Sequence, residues 1–154
     1  MSPADARASV LASEIERDWS SVLSQLARAK SVDPEQGAPQ AALVAFSLHH
    51  AYQAFESLLL RLERGLGLPE RSGDNWHNAL LQDAKMPIEG VRPAVFPSAV
   101  AASWQELLRF RHFLRHAYSV DFDVERLRRN VERLEEVTSG TEPQVQDLVA
   151  AIRT

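Results

Sequence analysis

The apolar residues of this chain recur at three- and four-residue spacing in long stripes, with no stretch of the two-residue alternation that marks a half-buried strand. A chain built only of such stripes can bury them in one way, by packing helix against helix. Leu11, Ile15, Trp19, Val22 and Leu26 define a first helix from about residue 4 to 29. The segment from Ser31 to Pro39, with Pro34 and Gly37 inside it, breaks the pattern. Pro39 suits the first turn of a second helix, where a missing N–H costs nothing, and Val44, Leu48, Ala51, Phe55, Leu59, Leu62 and Leu66 form its stripe. Asp74 or Asn75 can cap a short helix carrying Trp76, Leu80 and Leu81. Pro87, Gly90, Pro93 and Pro97 then predict a rigid, irregular crossover.

Ser98 can cap the next helix, over about 98–118, whose apolar face is Leu107, Phe110, Phe113, Leu114 and Ala117. Asp121 or Asp123 would start another, with Val124, Leu127, Val131, Leu134 and Val137 turned inward and Ser139-Gly140 as its end. Glu142-Pro143 would open a short C-terminal helix over about 143–152. The expectation is an all-α fold, an up-and-down four-helix bundle with short additional helices, in a single domain spanning 1–154.

Composition narrows the function. The chain has no cysteine, which removes disulfides, thiolate metal sites and a cysteine nucleophile. No run of about 18 apolar residues occurs and Met1 to Arg7 lacks the start of a secretion signal, so a cytoplasmic protein without a membrane segment is expected. A net charge of −4 argues against a protein that coats nucleic acid with a global basic surface. A local basic site is still available: of 17 basic residues, Arg109, Arg111, Arg115, Arg126, Arg128, Arg129 and Arg133 crowd into one region. Asp121, Asp123, Glu125 and Glu132 interleave with them, so the second half of the cluster reads as a salt-bridged, solvated helix face.

Within the first half, Arg111-His112-Phe113-Leu114-Arg115-His116-Ala117-Tyr118 carries chemistry. An arginine grips phosphate oxygens through a planar fork, and a histidine can exchange protons near neutral pH, so Arg111 and His116 supply what phosphodiester cleavage needs without a metal. On a regular helix the two would project roughly 140° apart, which suits one shared phosphate poorly. Either the helix ends or distorts near His116, or two copies bring their motifs together across a twofold interface. Arg115 and His112 are auxiliary candidates. His112 and His116 stand at a spacing that also suits a metal pair, but no third ligand has a clear place, so no metal and no cofactor is expected. Tyr118 sits three residues from Arg115, at the edge of the same face; its ring could equally cap the core.

The octet resembles the R-x4-6-H signature of the HEPN ribonucleases and, as R-x4-H-x-Y, looks like HepT, the toxin half of the HepT/MntA toxin–antitoxin systems. The order Tyr52, Phe55-Glu56, Trp76-His77, Leu80-Leu81, Val91-Arg92-Pro93 and Phe110-Arg111-His112 extends the resemblance over roughly residues 45 to 135. It implies the helical bundle already read from the stripes, a homodimer or higher assembly with a composite cleft, and metal-independent cleavage of RNA, with tRNA as the target class. It further implies that Tyr118 receives AMP from an MntA-like nucleotidyltransferase, which would place phosphate charge beside Arg111 and Arg115 and block the cleft. The sequence departs from the family pattern at His112, where a small polar residue is usual, and this leaves the identity of the general base open.

Other candidates read as structural. His49 and His50 are adjacent on a helix, so one faces solvent or an interface. Trp76 reads as a packing anchor and His77 as a ligand of a backbone group or partner. Arg92 would pin the crossover by pairing with an acid, or extend the cleft. Two competing functions remain: a non-catalytic helical scaffold for a nucleotidyltransferase, which the acidic charge favours, and a ribonuclease with no antitoxin.

Overall fold

The computed structural model describes residues 1–116 and 121–154, and among these it contains five α-helices and no strand. They are α1 (Pro3–Lys30), α2 (Ala38–Gly65), α3 (Trp76–Ala84), α4 (Ala101–Arg115) and α5 (Val124–Arg153). Short 3-10 turns at Pro34–Gln36 and Ser98–Val100 lead into α2 and α4. Helix α1 starts on a reciprocal cap: Asp5 N–H donates to Ser2 Oγ at 3.1 Å and Ser2 N–H to Asp5 Oδ2 at 3.0 Å, with Pro3 in the first turn. It packs along α2 and α5, and α4 packs on α2 and α5 from the other side, which closes the bundle.

The core is aromatic at its centre. Phe55 of α2 stacks on Trp104 of α4 with ring centroids 3.8 Å apart, and Tyr52, Phe96 and Trp19 meet this pair edge-on or tilted. The indole N–H groups buried there find partners on α5: Trp104 donates to Thr141 Oγ1 at 3.2 Å and Trp19 donates to Glu142. These bonds tie α5 to both other layers of the bundle at the depth where its chain was expected to stop.

That expectation is corrected. There is no separate helix over 143–152; α5 runs unbroken from Val124 through Gly140 and Pro143 to Arg153. Leu127, Leu134, Val137, Thr138, Thr141, Val145, Leu148 and Val149 are all buried, and their spacing keeps one phase across both supposed stop signals. Gly140 answers a packing need instead. A Cβ at this position would lie 2.7 Å from Val100 Cγ1, so the glycine allows α5 to approach the turn before α4. Proline removes one intrahelical donor at position 143, a loss that the continuous buried face outweighs.

The motif helix is also shorter than expected. Ser98 opens a 3-10 turn in place of capping, α4 begins at Ala101, and Arg115 is its last residue. At the start of α5, Asp123 is the cap, its carboxylate accepting from Glu125 N–H at 3.0 Å. Arg92 pins the crossover, but to backbone carbonyls and not to an acid: it donates to Met86 O, Pro93 O and Asp83 O at 2.9 to 3.0 Å. Nearly buried and already engaged, it is unavailable to a cleft.

Candidate functional site

Arg111 lies on the inner face of α4 and is only 6% exposed. The reason is its register, since Leu107, Leu108 and Phe110 on neighbouring positions are buried and draw it against α2. A guanidinium at that depth requires a counter-charge, and Glu56 of α2 provides one: its Oε1 is 3.6 Å from Arg111 Nη2. Glu56 is itself buried on the stripe that carries Tyr52, Phe55 and Leu59. Its other oxygen, Oε2, accepts a 2.8 Å hydrogen bond from Nδ1 of His77 on α3. One carboxylate thus joins the motif arginine to a histidine more than thirty residues away in the chain.

His77 stacks on Trp76 with centroids 3.7 Å apart and meets the His112 ring edge-on at 6.0 Å. His112 lies 5.7 Å from His116. His116 is exposed and terminates α4, with φ −105° and its N–H bonded to Phe113 O at 3.2 Å. The helix thus ends at the motif, with Arg111 buried and His116 exposed at its last turn. His112 and Arg115 are exposed on the same last turn. Tyr118, the expected modification site, falls outside the described residues.

The site is strongly basic on one side. His49, half-buried on α2, is held below the ordinary histidine range first by burial and then by the charges of Arg111, His50 and Arg115. His112 is lowered likewise, by burial first and then by His77, His116, Arg111 and Arg115. Both rings therefore favour the neutral form that can accept a proton. The Tyr52 hydroxyl is pushed far above the ordinary tyrosine value, mainly by burial and then by Glu56, so it stays a donor. All five histidines of the chain belong to this neighbourhood: His49 beside His50, and His77, His112 and His116 in file.

Several buried polar atoms here have no partner among the described residues: Arg111 Nε and Nη1, the Tyr52 hydroxyl and His49 Nδ1. Buried polar atoms of this kind call for an anion, water or a second chain to satisfy them. His49, Tyr52 and Glu56, at intervals of three and four along α2, present this polar stripe to Arg111. Among the described residues no cluster of three or more His, Asp or Glu side chains is placed to hold a metal ion.

The sequence names Arg111, His112, Arg115 and His116 as candidates; Glu56 and His77 enter it only as positions of the resemblance, with no role for Glu56 and a backbone group or partner for His77, whose partner is the Glu56 carboxylate. The available signal was Glu56 itself, a charge standing on a stripe that must be buried. In the second half of the arginine cluster Arg128 is ion-paired, meeting Asp33, Glu35 and Glu125, while Arg126 lies over the Phe113 ring at 4.4 Å and Arg133 donates to Asn130.

A protein-family model described as HepT-like protein matches residues 43–152, a span that contains every residue of this site and leaves α1 before it. No curated protein and no solved structure matches the chain.

Proposed function

Because the chain belongs to the HepT-like family, we propose that it is a HEPN-type endoribonuclease toxin that cleaves RNA without a metal, with Arg111 and His116 at its centre. The observation that carries this reading is the juxtaposition of a buried, positively charged arginine, with donors that no described residue satisfies, and a file of histidines ending at an exposed one. In the reaction the 2′-hydroxyl oxygen attacks the adjacent phosphorus and the bond from phosphorus to the 5′-oxygen breaks. The products are a 2′,3′-cyclic phosphate and a free 5′-hydroxyl. His116, with His112 as auxiliary, takes the proton from the attacking hydroxyl or returns one to the leaving oxygen, an effect worth about 10²- to 10⁴-fold. Arg111 binds the phosphate and stabilises the charge that builds on its oxygens, and Arg115 adds positive charge at the mouth.

Two copies complete the cleft. Leu43 and Phe46 are each about half exposed on α2, and with His50 they form an outward stripe at intervals of three and four residues beside the site. A twofold contact there would set two Arg-His pairs around one groove. A partner nucleotidyltransferase would silence the toxin by joining the α-phosphoryl group of ATP to the Tyr118 oxygen, with pyrophosphate leaving, so that the new charge pairs with the arginines. tRNA is the substrate class proposed.

The test is substrate chemistry. In excess chelator, an RNA oligonucleotide should be cut to fragments with 2′,3′-cyclic ends, while its 2′-O-methyl counterpart stays intact. Cutting of the methylated strand would overturn the internal-nucleophile mechanism. One observation favours a second reading, a non-catalytic scaffold for the nucleotidyltransferase: the Arg111 side chain is 7% exposed and already paired with Glu56. Absence of cleavage with a folded, unmodified dimer would favour it.

A further inference from the structure

The site holds one histidine that the R-x4-H motif does not contain. We infer that His77 is a positioning residue of the nuclease site: held in one tautomer by Glu56, it lies edge-on to His112, and its charge sets when His112 is free to act. This inference rests on the proposed function for its catalytic consequence, though not for the coupling between the two rings.

Three contacts define His77. Its Nδ1 lies 2.8 Å from Glu56 Oε2, and both side chains are nearly buried, at 12% and 6% exposure. A carboxylate only accepts, so Nδ1 carries the hydrogen and Nε2 is left with the lone pair. The two nitrogens flank Cε1 and their in-plane directions diverge, so Nε2 points away from Glu56. Trp76, stacked at 3.7 Å, covers one face and fixes the ring plane. His112 stands edge-on at 6.0 Å. A carboxylate orienting a histidine whose other nitrogen is free is the arrangement that readies imidazole to take up and give back a proton.

The charged groups facing this pair favour a division of labour. Facing His77 are Glu56 from α2 and His112 from α4, while the stacked Trp76 of its own helix is uncharged. Facing His112 are His77, His116, Arg111 and Arg115, all positive or able to become so. Burial and these neighbours disfavour a proton on His112. A positive charge on His77 opposes a second one on His112 at this short range. The second oxygen of Glu56 reaches Arg111 at 3.6 Å, so the same carboxylate orients the phosphate-binding group.

The test follows the rings by nitrogen-detected NMR across a pH titration. Wild type should show His77 with its hydrogen on Nδ1. In His77→Asn, whose amide can still donate to Glu56 but cannot titrate, the His112 midpoint should move upward. His77 in the Nε2–H tautomer, or a His112 midpoint unmoved in a folded His77→Asn protein, would overturn the coupling. Should the variant not fold, the wild-type tautomer alone decides. In the cleavage assay, the same variant should lose about 10- to 100-fold in kcat with KM unchanged, and its pH–rate profile should lose one titrating group. A uniform loss with an unaltered profile would show a packing role only. Wild type that cuts no RNA while the His112 midpoint still moves would sink the nuclease reading and leave the coupling standing.

Discussion

Arg111 carries a full charge at a depth where water cannot solvate it, and its stability depends on a single carboxylate. Replacing Glu56 by Ala should therefore cost about 3–5 kcal/mol in urea unfolding, because it leaves a buried cation unpaired. Adding Arg111→Leu to that variant should restore part of the loss, a coupling that a double-mutant cycle would read. The lowered histidines predict an acid limb. In the folded state His49 and His112 bind protons less readily than at the ordinary 6.5, so their contribution is complete above that pH and is lost as pH falls through their depressed folded values. A His49→Gln protein should show a flatter fall of melting temperature between neutral pH and pH 5. Arg111 and His116 were legible because they lie within one helical turn and a half, where spacing is informative. Glu56 and His77 were not, since the bundle alone brings α2, α3 and α4 together. The charge on a buried stripe and the place of Phe55-Glu56 in the resemblance were the hints to Glu56.

Helices α1 and α2 were legible almost to the residue, because Pro and Gly bound long stripes of constant phase. The error lay in α5, where Gly140 and Pro143 were read as a break. Local propensity argued for a stop, but the apolar positions from Leu134 to Leu148 stay in register, and tertiary packing against α1 and α4 decides the outcome. The close approach of Gly140 to Val100 gives a sharp expectation. Ala at 140 gains about 1 kcal/mol of helix propensity yet should destabilise by about 1–3 kcal/mol through overpacking, as read by denaturant unfolding. Trimming Val100 to Ala in the same protein should turn the Gly140→Ala change from a loss into a gain. If Gly140→Ala stabilises the otherwise native chain, the approach to Val100 accommodates a methyl group and the glycine is not a packing device.

At the scale of the molecule, a chain of net charge −4 gathers Arg111, Arg115 and its histidines at one end of α4 and the faces packed against it, while its other basic residues are spread over the rest of the chain. Such a protein should bind RNA through few phosphates, and a second copy would double that number. Phe46→Glu places a charge on the exposed α2 stripe, so it should shift a dimer to monomer in light scattering and lower cleavage with it. The most direct measurement is the fate of total RNA incubated in excess chelator with wild type, Arg111→Ala and His116→Ala. Wild type should cut and both variants should fall by at least about 10²-fold. Equal cleavage by all three, or none by a folded, unmodified wild-type dimer, would contradict the assignment of this site to RNA cleavage.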